Sequence, residues 1–232
     1  MALVAAAVVP SPPALVPELA SGAAGELDEL RAACDAAVAA LVAHAPDHVV
    51  VVATAPSTGP READERADLA AYGLDLRLGG GEGPGRFPLG SALGAWLLGR
   101  AGWTGPVEHL GVATDEPTAT CLALGQALAD GSGRTALLCV GDGSARRGPG
   151  SPRWPDERAV PWDTAVEEAL AAGDPAALAA LDPALAVELA VDGRAPWQVL
   201  AGAAAGRSWS GELRCSCAPW GVAYAVASWT PA

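Results

Sequence analysis

The sequence predicts a single α/β domain in which a mostly parallel central sheet is flanked by helices, with a C-terminal antiparallel strand pair. Short apolar runs bounded by turn residues alternate with longer stretches of helical apolar spacing, which is the pattern of strand–helix–strand units. The first apolar runs end in turns rich in proline or glycine. The chain has 232 residues, and neither a repeat nor a linker divides it. We therefore expect one domain over residues 1–232.

Short runs rich in Val, Leu and Ala, closed by turn residues, are predicted to be strands. The four main runs are Leu3–Val9, His48–Ala53, Val107–Ala113 and Arg134–Val140. A short strand is expected at Leu74–Leu78. The last run, Val222–Trp229, is expected to pair antiparallel with Ser208–Cys215. A right-handed crossover between the first two strands would place their end turns side by side.

Helices are predicted where apolar residues recur three and four positions apart. In the stretch Glu26–His44, Leu27, Leu30 and Leu41 share one face and polar residues share the other. Further helical patterns lie at Asp64–Ala71, Leu89–Arg100, Pro117–Ala129, Trp162–Ala172, Pro175–Leu181, Pro183–Ala190 and Pro196–Gly206. Two stretches are predicted to be loops. Gly79–Gly85 lacks the residues of a phosphate-binding loop, and Gly148–Pro161 is a long insert rich in Pro and Arg.

Composition excludes several classes of partner. The net charge of −13 would repel phosphate backbones, so no nucleic acid is expected to bind. No run reaches membrane-spanning length without a charge or a proline, so no membrane contact is expected. The five cysteines are an odd number in a long chain and do not form a secreted disulfide framework. We therefore expect a cytoplasmic location.

The strand-end turns place polar side chains where parallel sheets bind ligands, at the carboxyl ends of the strands. The tips carry Ser11, Ser57, Asp142, Ser144, Arg146 and Cys217. The histidines are not at these tips: His44 lies near a helix end, His48 opens a strand, and His109 lies within one. Each histidine is interpreted as structural. Since a zinc or iron site needs imidazole, carboxylate or thiolate ligands, the tips are a poor metal site.

Four blocks stand in order along the chain. They are Pro10-Ser11-Pro12-Pro13 with Leu15-Val16-Pro17-Glu18, Ala55-Pro56-Ser57, Gly141-Asp142-Gly143-Ser144-Ala145-Arg146 with Trp162-Asp163, and Asp192-Gly193 to Gly202 with Ala218-Pro219-Trp220-Gly221-Val222-Ala223-Tyr224. In this order and at this spacing, the chain resembles over nearly its whole length the catalytic B subunit of class III extradiol ring-cleavage dioxygenases. The related Memo proteins share the resemblance.

The resemblance implies a ferrous iron site that this chain has changed. In the family, two turn histidines and a late glutamate bind Fe²⁺, and a histidine in the Gly-Asp-x-Ser-His loop is the acid/base. The corresponding positions here are Ser11, Ser57, Cys217 and Ala145, and each departs from the dioxygenase pattern. A cysteine at the position of Cys217 is also found in the Memo proteins, which keep their histidines.

The resulting prediction is a catalytically inactive, cytoplasmic bacterial member of this superfamily without a metal cofactor. It would keep a pocket at the strand ends for an unknown small molecule or partner, and family members include monomers and homodimers. The predicted vestigial pocket consists of Ser11, Ser57, Asp142, Ser144, Ala145, Arg146 and Cys217.

Two alternatives belong to other functional classes. One is an active metal-dependent extradiol dioxygenase with ligands recruited elsewhere, for which His109 and Cys217 are the first candidates. The other is a transferase or hydrolase built on Cys217 with Arg146. A serine hydrolase would need a histidine base within reach, and the chain has no Gly-x-Ser-x-Gly turn.

Overall fold

A seven-stranded sheet forms the centre of the domain. The structure is a computed structural model that describes residues 2–20, 25–61, 67–68, 77–78, 87–131 and 133–232. The strands of this sheet are β1 (Ala2–Val9), β2 (His48–Ala55), β3 (Gly59–Arg61), β6 (Val107–Ala113), β7 (Arg134–Val140), β8 (Trp209–Cys217) and β9 (Tyr224–Pro231). Their order across the sheet is β3-β6-β2-β7-β1-β9-β8. Strands β4 (Ala67–Asp68) and β5 (Arg77–Leu78) form a separate antiparallel pair.

The sheet is mixed, so the prediction of a mostly parallel sheet is wrong. Strands β6, β2, β7 and β1 are mutually parallel, but the pairings β3–β6, β1–β9 and β9–β8 are antiparallel. Strand β3 cannot be parallel to β2 because only residues 56–58 separate them, too few for a crossover. The predicted antiparallel pairing of the last two strands is confirmed.

The first two strands are not neighbours, contrary to the expectation that their end turns lie side by side. Strand β7 lies between β1 and β2 and pairs with both in parallel. The loop that follows β7 therefore lies between the two turns. This order results from the long-range pairing of β7 with both strands. The connection between β1 and β2 does not determine it.

Helices cover both faces of the sheet. They are α1 (Pro17–Ala20), α2 (Asp28–Ala43), α3 (Leu89–Arg100), α4 (Thr118–Asp130), α5 (Ala159–Ala172), α6 (Pro175–Ala179), α7 (Pro183–Glu188) and α8 (Arg194–Ala204), preceded by a 3₁₀ helix at Pro13–Leu15. Among the described residues, no helix combines the length and the apolar character needed to span a bilayer.

Alternate residues of β1 belong to two separate cores, as expected of a strand buried on both faces. Ala6 and Val8 pack in the core that contains Trp197 of α8. Ala7 and Val9 pack in the core that contains Cys34 of α2. The molecule is therefore a single α/β domain of three layers, and its strand ends form the edge where the site described below lies.

Most predicted elements are present with shifted ends. The secondary structure differs from the prediction in Asp64–Ala71 and at the end of Gly148–Pro161. Ala67 and Asp68 form strand β4, so the helix predicted at Asp64–Ala71 is wrong there; its other residues lie outside those described. In the predicted strand Leu74–Leu78, residues 77–78 are strand β5, and 74–76 lie outside the described residues, as does Gly79–Gly85. Helix α5 begins at Ala159, so the predicted insert ends earlier; Pro161 lies in its first turn, where proline is tolerated.

Candidate functional site

The turn after β1 is joined to the loop after β7 by a carboxyl group that accepts a hydrogen bond. The backbone N–H of Ser11 donates a 2.6 Å hydrogen bond to Oδ1 of Asp142. The Gly141 N–H donates to the carbonyl of Val9 at 3.0 Å, which continues the pairing of the two strands past their ends. The proline residues around Ser11 restrict φ, so this hydrogen bond fixes a turn that is already stiff. Ser11 and Asp142, both predicted pocket residues, are therefore brought together.

A second carboxyl group, Asp192, lies on the same edge. Its N–H and that of Gly193 donate to the carbonyl of Asp142 at 3.1 and 2.7 Å. The Thr54 hydroxyl, near the end of β2, donates to the carbonyl of Asp192 at 2.7 Å. The ends of β1, β2 and β7 and the segment before α8 are thus held together by hydrogen bonds.

Both carboxyl groups have raised pKa values. Burial raises the pKa of Asp142 to about 7; the charge of Asp192 also raises it, whereas the hydrogen bonds from Ser11 lower it. Burial raises the pKa of Asp192 to about 6, against the lowering effect of Thr54. Two acidic groups that exchange protons near neutral pH therefore share one strand-end edge. This combination is typical of functional sites.

Tyr224 and Cys217 face each other across the β8–β9 pairing. Tyr224 is buried, and its pKa is raised by burial and by the charges of Asp142 and Cys217. Cys217 is half-buried, and burial raises the pKa of its thiol to about 12. Both groups are neutral at physiological pH. We call the set Ser11, Asp142, Asp192, Cys217 and Tyr224 the strand-end cluster.

Ser144, a predicted pocket residue, is committed to a buried hydrogen-bonded pair. Its N–H donates to Oδ1 of Asp163 at 2.9 Å, and its hydroxyl donates to Oδ2 at 2.6 Å. Both residues are buried. Burial raises the pKa of Asp163, whereas the hydrogen bonds from Ser144 lower it. The pair fixes the loop after β7 to helix α5, so Ser144 has a structural position.

The loop passes so close to its neighbours that residue 143 must be glycine. A Cβ atom on Gly143 would lie 2.8 Å from the Cβ of Ala223 and 2.9 Å from Oδ1 of Asp163. The Gly143 N–H also donates to the carbonyl of Ala223 at 2.8 Å. The glycine thus allows β7 and β9 to place Asp142 and Tyr224 on one edge.

Ala145 and Arg146, the last predicted loop residues, are held by other segments. The Ala145 N–H donates to the carbonyl of Leu189 at 3.1 Å. Arg146 donates through Nη1 to the carbonyl of Trp154 in the insert at 3.0 Å, and its buried Nε has no partner among the described residues. The cation that lowers the pKa of Cys217 is Arg147, and burial outweighs its effect. Cys217 is therefore not an activated thiolate.

Ser57 is not brought into the strand-end cluster. It is exposed, and Nη2 of Arg61 donates to its carbonyl and, at 3.0 Å, to its hydroxyl. Because β7 separates β1 from β2, the turns of Ser11 and Ser57 lie roughly 10 Å apart. A guanidinium cation on the Ser57 hydroxyl also opposes the binding of a metal cation there.

The three histidines lie away from the cluster. His44 follows α2 and His48 begins β2, so both lie where the parallel strands begin, at the end of the sheet opposite the cluster. Nε2 of His48 is 3.2 Å from the Thr135 hydroxyl. His109 lies in the middle of β6 with its ring 4.5 Å from that of Phe87, and burial lowers its pKa to about 4. Strands β6 and β8 are five strand steps apart, roughly 24 Å, so His109 and Cys217 cannot bind one metal ion.

The donor set does not fit ferrous iron. Ser11, Ser57 and Cys217 provide two neutral hydroxyls and a thiol that stays protonated at neutral pH, and the Ser57 hydroxyl is bound by Arg61. Within the described part of the chain, no group of three or more His, Cys, Asp or Glu residues is arranged to hold a metal ion.

Sequence reasoning missed three residues of this edge: Thr54, Asp192 and Tyr224. Signals were available for Asp192 and Tyr224, but not for Thr54. Asp192-Gly193 and Tyr224 stand inside blocks that carry the family resemblance. The predicted hairpin pairs Ser208–Cys215 with Val222–Trp229. Extended by two residues to Cys217, it places Tyr224 opposite that cysteine.

Comparisons with known proteins concern the fold. Neither a protein-family model nor a curated protein matches this chain. The structure is similar to the uncharacterized protein JW3007 from Escherichia coli K12, with a TM-score of 0.50 and 13% sequence identity. The similarity covers 98% of this chain and 99% of that chain. At this identity the likeness shows a shared fold over the whole domain.

Proposed function

We propose that this chain is a member of the superfamily of class III extradiol dioxygenase catalytic subunits that neither holds ferrous iron nor cleaves catechols. In this proposal, the strand-end cluster binds a small polar ligand. The proposal rests on the motif resemblance, on where the motif residues lie, and on the chemistry of the groups found there.

The convergence of the motif blocks supports the superfamily assignment. Ser11 of the first block binds Asp142 of the third at 2.6 Å. Asp163, which follows the insert, binds Ser144 of the same loop. Tyr224 of the last block pairs with Cys217. The first and third blocks therefore meet, and the last block joins them because the Gly143 N–H donates to the carbonyl of Ala223. The second block, which carries Ser57, does not meet them.

The observation that carries the functional conclusion is the placement of the histidines. His44 and His48 lie at the opposite end of the sheet, and His109 lies mid-strand with a pKa of about 4. No imidazole can therefore reach the strand-end cluster as an iron ligand or as an acid/base. Imidazole is the ligand and the neutral-pH proton carrier on which the family's reaction depends.

The cluster itself favours a neutral or cationic ligand. Asp142 and Asp192 are hydrogen-bond acceptors in their ionised form, and Tyr224 and Cys217 are neutral. The two nearby arginines are engaged elsewhere, Arg146 with the carbonyl of Trp154 and Arg147 with Glu167 at 3.4 Å. A ligand with hydroxyl or amino groups would complement these acceptors, whereas an anion would meet carboxylates.

The proposal is tested by assaying ring cleavage directly. Purified protein is loaded anaerobically with ferrous iron, mixed with catechol in oxygenated buffer, and followed by oxygen uptake and by the yellow ring-opened product. We expect neither signal above that of free iron. Turnover that depends on the protein, and that is lost in Cys217→Ala, would overturn the proposal.

Ligand binding is tested separately with catechol and benzylamine as neutral and cationic probes. We expect both to perturb the NMR signals of Tyr224, and we expect Asp142→Asn to weaken benzylamine more than catechol because it removes a negative charge. Tyr224 signals that stay unchanged with both probes would contradict a ligand site at the strand-end cluster. Equal affinity of the parent and Asp142→Asn for benzylamine would contradict it as well.

A further inference from the structure

A concave site lies at the end of the sheet opposite the strand-end cluster, where β1 and β7 begin and β9 ends. It is a cleft of about 420 Å³ lined by Val4, His44, Arg134, Arg207 and Pro231. Two of these five residues are arginines, in a protein whose net charge is −13. The cleft has a volume within the usual range for small-molecule sites.

Arg134 is fixed in position by the end of helix α2. Its Nε donates to the carbonyl of Ala45 at 3.1 Å, and its Nη2 donates to the carbonyl of His44 at 2.6 Å. These hydrogen bonds cap the carbonyl end of the helix. They leave the N–H groups of Nη1 for a ligand, because a guanidinium carries five donors. The contact of this residue with Asp47 is made by its backbone, where the Arg134 N–H donates to Oδ2 of that carboxylate.

Arg207 is also held in place without a carboxylate. Its Nη1 donates to the carbonyl of Leu3 at 2.8 Å, and its guanidinium carbon lies 5.1 Å from the ring centroid of Trp209. This arrangement leaves the donors on Nε and Nη2 for a ligand. Within the described part of the chain, neither Arg134 nor Arg207 takes part in a salt bridge.

Both guanidinium groups are therefore pre-oriented around one cleft, with donors to spare for a ligand. Guanidinium groups recognise carboxylate and phosphate oxygens through paired hydrogen bonds, and fixed side chains lose little entropy when they bind. The apolar side chains of Val4 and Pro231 complete the lining and provide a surface for a non-polar group.

We infer that this cleft binds a small organic oxyanion, with a phosphate or carboxylate head between Arg134 and Arg207 and an apolar body against Val4 and Pro231. The site is independent of the strand-end cluster, since it lies at the other end of the sheet and has the opposite charge.

The test is isothermal titration calorimetry at constant ionic strength with phenyl phosphate, benzoate and inorganic phosphate as probes. We expect phenyl phosphate or benzoate to bind saturably, and the stronger of the two identifies the head group. We expect inorganic phosphate to bind more weakly because it lacks an apolar body. Equal affinity for inorganic phosphate would overturn the assignment of an organic ligand, and no saturable binding by either aromatic probe would overturn the site.

Variants locate the binding. We expect Arg207→Gln to weaken binding roughly tenfold, since a charge-assisted hydrogen bond is lost, and Arg207→Lys to weaken it less. Arg134→Gln should weaken binding to a similar extent. If Arg134→Gln unfolds because the end of α2 loses its cap, the result for Arg207→Gln still decides the test. The matched control is Arg153→Gln, which removes the same charge from the exposed insert at the other end. An equal loss of affinity in the control would show a general charge effect and overturn the inference.

Discussion

The backbone N–H of Ser11 donates to Oδ1 of Asp142 at 2.6 Å and joins two loops that are 131 residues apart in the chain. This hydrogen bond holds the proline turn after β1 against the loop after β7. It also makes Asp142 the central carboxyl group of the strand-end cluster, since Asp192 and Tyr224 both interact with it electrostatically.

The raised pKa of Asp142 predicts a pH-dependent stability. Between the ordinary value of 3.8 and about 7, the folded protein binds a proton that the unfolded chain has released. The free energy of unfolding therefore falls as the pH rises through that range. Above pH 7 the folded protein bears the full destabilisation of burying an ionised Asp142. We expect Asp142→Asn to be more stable than the parent at pH 8 by up to about 4 kcal/mol.

Urea unfolding at several pH values between 5 and 8 checks this expectation. The parent should lose stability across the range more steeply than Asp142→Asn. Asp130→Asn is the matched control, because Asp130 is exposed at the end of α4 and should change stability by less than about 0.5 kcal/mol. Parallel pH profiles for the parent and Asp142→Asn would contradict the raised pKa.

The buried pair of Ser144 and Asp163 predicts a large difference between two substitutions at one position. Asp163→Ala leaves the N–H and the hydroxyl of Ser144 without their acceptor, and we expect a loss of about 3 kcal/mol. Asp163→Asn keeps an acceptor of the same shape and should cost about 1 kcal/mol. Chemical denaturation measures both, and equal losses would show that the hydrogen bonds do not stabilise the loop.

Two glycines should respond to alanine in opposite directions. In Gly143→Ala, the new methyl group would meet Ala223 and Asp163 at less than 3 Å, and we expect a loss of about 1–3 kcal/mol. In Gly99→Ala, on helix α3, nothing lies within 4 Å of the added Cβ, and we expect a gain of up to about 1 kcal/mol. Melting temperatures of the two variants compare them. A neutral Gly143→Ala would contradict the close approach of the loop to β9.

Cys217 should react slowly with thiol reagents although it is only half-buried. Burial raises the pKa of its thiol to about 12, so very little thiolate exists at pH 7, and the labelling rate should rise about tenfold per pH unit up to pH 9. Peptide mapping after iodoacetamide treatment gives the rate at this site, with Cys217→Ser to assign the peptide. Rapid labelling at pH 7 that does not depend on pH would favour a cysteine-based enzyme instead.

The main elements of the fold could be predicted because their burial leaves a local pattern. Strand β1 is apolar throughout and β7 is apolar from Ala136 onward, since both faces are covered, and α2 shows one apolar stripe. Strand β3 could not be predicted, because Gly59-Pro60-Arg61 has no strand pattern. It pairs at the sheet edge, where proline is tolerated.

The site could be predicted only in part, because strand order and side-chain direction depend on long-range packing. Ser11 and Asp142 meet as neighbouring strand ends, but β7 separates Ser57 from Ser11. Ser144 stands in the right loop, yet its hydroxyl is directed to Asp163. No local pattern in the sequence encodes either fact.

The most direct test of the central claim is the amount of ferrous iron that the protein retains. Equilibrium dialysis under anaerobic conditions, followed by colorimetric iron determination, compares the parent with Cys217→Ala and a protein-free control. We predict far less than stoichiometric iron in the parent and no difference between the parent and the variant. Stoichiometric iron in the parent that is lost in Cys217→Ala would contradict the account.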